Sequence, residues 1–412
     1  MGIFSATAYE SLAAIGENMM ASLQVQTGQL TQIAETALAA GIDKYQDKDY
    51  EGAATDFERY VGIMRPYAFD AEQENHLGEA TEYLANAFLK LEKTDKAIDA
   101  YKTGIELSPD RVETRAKLGN LYFSLERYRD AEESYRGAYN LNEQDPNVAF
   151  SLGQALLYQD RYADASDLFS KVKKLDPESG NGQYGLGLVF QDQGDPDAAS
   201  EQFKAATEIN PEFFDAWVEL GYLYADSGQM DLAQDVFEFL EDEDETDLAD
   251  TLNRYMYKVE SPKFAFIGAD STFPRTMGSR TPVSAIDAYL VNANTSKQFS
   301  MVFQFTKEMD MSSVQNRTNW NIGRSDKSGA GELYNFGVRV PDTEIKLPPI
   351  PERVVYDPSM LQATVTFTVS QNSAADGTLD PSHILFRFNG VDSFGNAMGE
   401  DGDDFTGYSG ID

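Results

Sequence analysis

The chain offers few side chains for acid–base or nucleophilic catalysis. Its 412 residues include two histidines, His76 and His383, and no cysteine. His383 follows Asp380-Pro381-Ser382, which we interpret as a turn at the start of a strand before we interpret it as part of a catalytic triad. The metalloprotease, phosphate-loop and nucleophile-elbow patterns are absent. The residue types therefore predict a protein that is not an enzyme and needs no cofactor; the enzymatic alternative is a hydrolase that depends on His383.

Oxygen ligands for a cation occur together near the end of the chain. Asp392, Asn396, Asp401 and Asp403 are weak calcium candidates, because carboxylate and amide oxygens suit this ion. Turn chemistry explains Asp392 and Asn396 equally well. A second acidic run, residues 238–250, is typical of a solvated helix face. The absence of cysteine excludes thiolate metal sites, cysteine nucleophiles and disulfides, and we expect no metal site.

A glycine pattern at Gly180, Gly182 and Gly185 matches the G-x-G-x-x-G form of dinucleotide-binding loops. That chemistry requires a preceding strand and a following helix, so that the phosphates meet the helix N-terminus. Here Leu175-Asp176-Pro177 ends a helix instead, because proline cannot continue a helix interior. We therefore do not expect nucleotide binding.

The charge of the chain excludes several classes of partner. The formal net charge is −36, which repels nucleic acid and anionic lipid. No apolar run approaches the roughly 18 residues of a membrane span, so no membrane insertion is expected. Residues 1–43 contain no Lys or Arg, so no secretion signal is visible. The protein is expected to be cytosolic, to be exported without a cleavable signal, or to be a mature form.

The elements that carry these residues follow a 34-residue period. Leu-Gly pairs recur with glycines at 119, 153, 187 and 221, and an alanine follows each glycine by twelve residues. An aromatic residue comes four positions later, at Tyr135, Phe169, Phe203 and Phe237. Such a period predicts stacked helix pairs. Earlier units are centred on Ala85 and on Gly41, and we place the ten surplus residues between them at 65–76, as a loop or a helix extension that contains His76.

This pattern closely resembles the tetratricopeptide repeat (TPR). The sixth unit carries the family positions most completely, with Trp217, Leu220, Gly221, Tyr224, Ala233 and Phe237. Physically, glycine and alanine suit the close crossing of two helices, and the aromatic rings fill the space beside them. Pro177 and Pro211 end one unit and begin the next. The resemblance implies an α-solenoid of about six helix pairs with a concave groove.

By the resemblance, the groove is lined by the first helix of each unit and binds a peptide or helix segment of a protein. The predicted lining residues are mostly aromatic or carry amides; they are Asn86, Asn120, Phe123, Asn147, Phe150, Gln154, Tyr158, Tyr184, Leu188 and Tyr222. Family members that clamp a carboxylate use Lys and Arg, whereas this chain has Glu82, Ala116, Phe150 and Tyr184 at those positions. We therefore expect a segment with apolar anchors.

The two ends of the chain differ from the repeats. Residues 1–33 contain a broken helical stripe of apolar residues, which either covers the open end of the stack or docks on another subunit. From residue 263 the apolar period changes to two, as in residues 299–305, 363–369 and 384–388. About seven short strands predict an antiparallel β-sandwich.

Two segments of the C-terminal part carry a second resemblance. Val302–Asp310 with Ser313-Val314, and the turn Gly390-Val391-Asp392 with Gly395-Asn396, resemble a bacterial Ig-like domain of the S-layer type. Such domains are mostly spacers or adhesive modules on cell surfaces. The resemblance therefore implies an Ig-like sandwich that slightly favours an extracellular or cell-surface location over the cytoplasm.

The sequence as a whole predicts three parts: an N-terminal helical segment (1–33), a TPR solenoid with a capping helix (34–260) and an Ig-like β-sandwich with an acidic tail (261–412). We interpret the protein as a non-catalytic protein-interaction scaffold. The alternative is a self-assembling subunit of an extracellular filament or surface appendage, which would make it a homo-oligomer or polymer.

Overall fold

The structure, a computed structural model, describes residue 26, residues 28–67 and residues 71–411. Most of the predicted N-terminal segment, residues 1–25 and residue 27, lies outside these residues. Up to residue 259, the described part of the chain contains thirteen α-helices. They are α1 (28–46), α2 (Tyr50–Met64), α3 (Ala71–Lys90), α4 (Thr94–Leu107), α5 (Val112–Ser124), α6 (Tyr128–Leu141), α7 (Pro146–Leu157), α8 (Tyr162–Leu175), α9 (Asn181–Asp192), α10 (Pro196–Ile209), α11 (Phe214–Asp226), α12 (Met230–Asp242) and α13 (Thr246–Val259). They form six successive pairs and one further helix, which confirms the predicted helical array.

The periodic glycines lie where the two helices of a pair cross. A Cβ atom on Gly119 would lie 2.5 Å from the ring of Tyr135, and one on Gly153 would lie 2.7 Å from the ring of Phe169. Gly187 has the same relation to Phe203, at 2.5 Å. No real Cβ fits at these distances, so glycine is required for the rings to pack.

The sixth pair departs from this arrangement. A Cβ on Gly221 would lie 2.7 Å from Leu252 of α13 and 3.3 Å from Val236, not against Phe237. Phe237 is only half-buried. Phe237 therefore does not pack on this glycine as the rings of the third to fifth pairs do, because Leu252 of α13 and Val236 occupy that space.

The surplus residues between the first and second units extend a helix. A short 3₁₀ turn covers Arg65–Tyr67, and α3 has 20 residues where α5 has 13. Leu77 on the added turns and Ala80 just after them are buried with Tyr60 of α2, and this apolar face stabilises the extension. His76 is thus an exposed helical residue and not a loop residue.

The turns inside the pairs also follow the period. Glu92, Glu126 and Asp160 adopt φ values of 59°, 58° and 57°, and Gly194 and Gly228 have φ of 75° at the equivalent positions. This left-handed conformation disfavours most side chains, so glycine is the relaxed choice. The chain divides between Leu220 and Gly221, within α11, into two compact units.

The C-terminal part forms antiparallel sheets. The strands are β1 (Phe264–Ile267), β2 (Thr281–Pro282), β3 (Ser296–Phe305), β4 (Trp320–Arg324), β5 (Arg353–Asp357), β6 (Gln362–Ser370), β7 (Thr378–Leu379), β8 (Ile384–Phe388), β9 (Asp404–Thr406) and β10 (Gly410–Ile411). Two four-stranded sheets have the orders β1-β3-β6-β5 and β10-β9-β8-β4, and β2 pairs with β7. The predicted strands at 299–305, 363–369 and 384–388 are confirmed within β3, β6 and β8. The described residues contain ten strands where about seven were expected.

The two larger sheets pack face to face. The ring of Phe386 on β8 lies 5.7 Å from that of Phe303 on β3 and 5.5 Å from that of Phe367 on β6. Trp320 on β4 is buried 5.3 Å from Phe303. Aromatic rings from both sheets therefore fill the core of a β-sandwich. None of the described helices combines the length and apolar character that a membrane span requires.

Candidate protein-binding groove

Two predicted groove amides bind within their own helix pair. The Tyr101 hydroxyl donates to Oδ1 of Asn86 at 3.1 Å, and the Tyr135 hydroxyl donates to Oδ1 of Asn120 at 2.7 Å. Each bond links the first helix of a unit to the second helix. These two oxygens therefore stabilise the helix pair. That Asn86 and Asn120 also line a partner-binding groove stays a prediction.

An aromatic cluster lies at the third and fourth pairs. The ring of Tyr158 stacks on that of Tyr128 at 4.9 Å, with 16° between their planes. The Phe123 ring meets both edge-on, at 5.2 and 5.3 Å. Tyr158 remains 57% exposed, so the cluster presents an aromatic face to solvent. Tyr128, on a second helix, was not among the predicted lining residues.

A second aromatic group follows in the fourth to sixth pairs. The Tyr184 ring lies 6.5 Å from Phe150 and 4.9 Å from Phe213, and all three are half-buried. Burial, together with the carboxylates of Glu219 and Asp215, raises the pKa of Tyr184 well above its ordinary value. Its hydroxyl is therefore a neutral group that can donate a hydrogen bond.

The remaining predicted lining residues are less uniform. Gln154 and Leu188 are half-buried, and Leu188 packs on the core of the array. Asn147 is exposed. Tyr222 belongs to the second compact unit, where its ring lies 4.5 Å from that of Tyr255.

Glu219 and Asp192 are carboxylates whose pKa is raised by burial and by other carboxylates. Burial raises the pKa of Glu219, and Asp215 and Asp192 raise it further, against one hydrogen bond from Gln191 at 3.1 Å. Burial also raises the pKa of Asp192, with a contribution from Asp160. The charged groups that act on both residues are carboxylates, so this surface is strongly acidic.

Glu82, at a clamp position of the second unit, has a different environment. Its side chain is 6% exposed, and it accepts hydrogen bonds from Arg111 Nε at 2.9 Å, from Thr114 Oγ at 2.6 Å and from Lys117 Nζ. Burial alone would raise the pKa of Glu82, but these hydrogen bonds lower it below the ordinary value. The chain thus neutralises this carboxylate with its own cations.

Three of the four weak calcium candidates, Asp392, Asp401 and Asp403, each lie beside a different cationic side chain of this protein. The buried pair of Asp392 and Lys307 is joined at 2.8 Å, and Asp401 pairs with Lys263 at 2.8 Å. Asp403 lies 3.9 Å from Arg387. Within residues 28–67 and 71–411, no three His, Cys, Asp or Glu side chains are arranged to hold a metal ion.

The turn at Asp392 joins the sandwich to the last helix. Lys307 Nζ also donates to the carbonyls of Tyr257 and Glu260 at the end of α13, at 2.6 and 2.7 Å. Asn396 Nδ2 donates to the carbonyl of Lys258 at 2.6 Å. The cation and the amide satisfy carbonyls that a helix C-terminus leaves unpaired. The structure therefore gives Asp392 and Asn396 a joining role.

His383 is fully buried within the sandwich. Its Nε2 donates to the Gly331 carbonyl at 2.8 Å, while Nδ1 lies 2.9 Å from both Ser382 Oγ and Asp380 Oδ2. Both ring nitrogens are thus engaged, and the Tyr408 ring stacks on the imidazole at 4.7 Å. A triad needs a base whose nitrogen faces a substrate, so this cluster has the arrangement of a structural network.

Comparison with known proteins supports the repeat assignment. A tetratricopeptide-repeat family model matches residues 116–180 and 184–247, and a second TPR model matches residues 85–125. The repeat family is generally non-catalytic. A comparison with curated proteins found no match.

Similar solved structures include MamA and a tetratricopeptide repeat protein. A crystal structure of MamA is 28% identical, covers 40% of this chain and 96% of MamA, and has a TM-score of 0.35. A tetratricopeptide repeat protein from Parabacteroides merdae is 16% identical, with a TM-score of 0.44; the match covers 52% of this chain and 80% of that protein. On the family matches, residues 85–180 and 184–247 of this chain are tetratricopeptide repeats.

Proposed function

We propose that the protein is a non-catalytic scaffold whose groove holds a segment of another protein through aromatic contacts. The observation that carries this proposal is the stacked Tyr128–Tyr158 pair, because its rings form a rigid face of which Tyr158 is largely exposed. Aromatic side chains contribute much of the energy of protein interfaces at little cost in conformational entropy. The expected segment has apolar anchors that pack on Tyr158 and on the Tyr184 group.

The sandwich has a supporting role in this proposal. Its own aromatic core and its junction through Lys307 to α13 suit a rigid spacer or surface module of the bacterial Ig-like kind.

A peptide selection tests the groove. A random peptide library is displayed on phage and selected on the purified full chain, and enriched peptides are then tested on a Tyr158→Ala variant. Tyr289→Ala is the control, because Tyr289 is 71% exposed but lies in the sandwich region. Binding lost in the first variant and kept in the second supports the groove. Peptides that bind all three proteins equally would exclude it.

A second candidate function is self-assembly through the sandwich. Leu333, Phe336 and Val338 expose 44, 52 and 54% of their surfaces, and Phe336 has a strained φ of 52°. A buried carboxylate holds this loop in place: Asp380 Oδ2 accepts from the backbone N–H of Asn335 at 2.9 Å. Exposed apolar patches of this kind mark contact surfaces, so we propose this loop as a contact between copies in a filament or surface appendage.

Sedimentation velocity tests the second candidate. Wild-type protein should assemble as concentration and salt increase, because salt screens the repulsion between acidic copies. Phe336→Ser should abolish that assembly. Monodisperse wild-type particles under all conditions would rule out self-assembly.

A further inference from the structure

Charge is distributed very unevenly along the repeat array. Residues 85–174 contain 14 Lys or Arg and 15 Asp or Glu, so this part is nearly neutral. Residues 175–253 contain one Lys, no Arg and 21 Asp or Glu. More than half of the net charge of −36 therefore lies in fewer than a fifth of the residues.

Some of these carboxylates lie near the aromatic residues of the predicted groove. Asp192 ends α9, and Asp215 and Glu219 lie on α11, in the same compact unit as Tyr158 and Tyr184. Glu219 is half-buried and is acted on by Asp215 and Asp192, whereas Asp192 is exposed, partly desolvated and acted on by Asp160. Keeping like charges close together with reduced hydration is unfavourable. A positive group from outside the chain would relieve that cost.

The aromatic rings suit the same kind of group. A guanidinium or ammonium group binds well over the face of a tyrosine ring, and it donates strong hydrogen bonds to carboxylates. Tyr158 offers an exposed face, and Tyr184 lies among Asp215 and Glu219. We call the surface formed by Tyr158, Tyr184, Asp192 and Glu219 the acidic groove.

We infer that the acidic groove binds a protein segment that carries arginine or lysine side chains beside an aromatic or aliphatic anchor. This inference rests on the proposed scaffold function and specifies its partner. The anchor packs on the rings. The cation supplies a counter-charge to the groove carboxylates, as Arg111 and Lys117 do for Glu82 of the second unit. Binding is therefore expected to weaken with added salt and with acid, which protonates the carboxylates.

The test uses the random peptide library and two matched variants of the full chain. The groove variant is Asp192→Asn with Glu219→Gln. The control variant is Glu201→Gln with Glu208→Gln, which removes the same charge from exposed positions on α10. Enriched peptides are sequenced, and the affinity of the best one is measured by fluorescence anisotropy. Circular dichroism verifies that both variants keep their helical content.

We expect the enriched peptides to carry Arg or Lys next to an apolar residue. Their affinity should fall roughly tenfold on the groove variant and stay within about twofold on the control. Equal weakening on both variants would mean long-range attraction to net charge, and would overturn the inference.

Two further outcomes separate this inference from the proposed function. Neutral or acidic peptides that lose binding on Tyr158→Ala would keep the groove and overturn its preference for cations. If no enriched peptide depends on Tyr158, the groove function and the inference both fail.

Discussion

The nearly neutral residues 85–174 and the acidic residues 175–253 share one period, and their packing scheme is the same as far as the fifth helix pair. In both parts a periodic glycine lies against an aromatic ring, as at Gly153 with Phe169 and Gly187 with Phe203. They nevertheless differ in their cationic residues: residues 85–174 contain 14 Lys or Arg, whereas residues 175–253 contain one Lys. Packing positions are thus fixed by the fold, whereas surface positions are free to encode a partner. The difference points to the acidic part as the one whose interactions are specialised.

Glu82, which directly precedes the neutral part, and Glu219 in the acidic part show what the difference means locally. Glu82 is buried among Arg111, Thr114 and Lys117, which lower its pKa. Glu219 accepts a hydrogen bond from the Gln191 amide, and burial together with Asp215 and Asp192 raises its pKa. The first carboxylate is satisfied by cations of its own chain, and the second is the one that we propose meets a cation of another molecule.

The largest expected effect is the loss of the Glu82 network. Glu82→Gln leaves Arg111 and Lys117 without their buried counter-charge, so the free energy of unfolding should fall by about 2 kcal/mol. Glu219→Gln removes repulsion and keeps an acceptor for Gln191, so it should change stability by less than about 0.5 kcal/mol. Urea denaturation followed by circular dichroism measures both. Equal losses would mean that the two carboxylates are equivalent after all.

The shared packing predicts equal effects in the two parts. A methyl group at Gly153 or Gly187 must displace a fully buried ring, so Gly153→Ala and Gly187→Ala should each cost about 1.5 kcal/mol. Thermal unfolding of the two variants provides the measurement. If only one variant were destabilised, the packing would depend on its electrostatic surroundings, and the separation of fold from charge would fail.

The sequence period predicts most of the repeat fold because the same helix-to-helix packing recurs from pair to pair. The six helix pairs follow from the glycine, alanine and aromatic spacing. The failure at Phe237 has a specific cause: α13 carries Leu252 into the space, and α13 itself is not a repeat. The sequence left a loop and a helix extension open for the surplus that contains His76, because the extension depends on burial of Leu77 with Tyr60 of α2.

The candidate site is less predictable than the fold. Asn86 and Asn120 have the position of groove residues, but the tyrosine hydroxyls that bind them come from another helix. Asp392 and Asn396 have a calcium-like composition, yet their partners, Lys307 and α13, are far away in sequence. Composition indicates which groups are present, whereas long-range contacts decide whether the chain itself uses them.

The turn residues give a smaller comparison between the same two parts. Gly194 in the acidic part and Glu126 in the neutral part share the left-handed conformation. A Cβ on Gly194 would meet no atom within 4 Å, so Gly194→Ala adds backbone strain alone, about 1 kcal/mol. Glu126→Gly relaxes that strain but adds freedom to the unfolded chain, so it should change stability by only about 0.5 kcal/mol or less. Urea denaturation of both variants measures these differences, and a large loss in Glu126→Gly would mean that its side chain makes an additional contact.

The smallest expected effect is an opposite response to acid. The pKa of Glu219 is raised in the folded protein, so the folded state binds protons first as pH falls towards the ordinary value of 4.5. Protonation of Glu219 stabilises the folded state between its raised pKa and 4.5, because it removes the cost of burying the charge and the repulsion from Asp215 and Asp192. The pKa of Glu82 is lowered, so its contribution is present above 4.5 and is lost as pH falls through its folded pKa. Carboxyl NMR titration should therefore place the midpoint of Glu219 above that of Glu82, and a cationic peptide bound in the acidic groove should lower only the former. Midpoints that coincide, or a peptide that shifts Glu82 instead, would remove the electrostatic distinction between the two parts of the array.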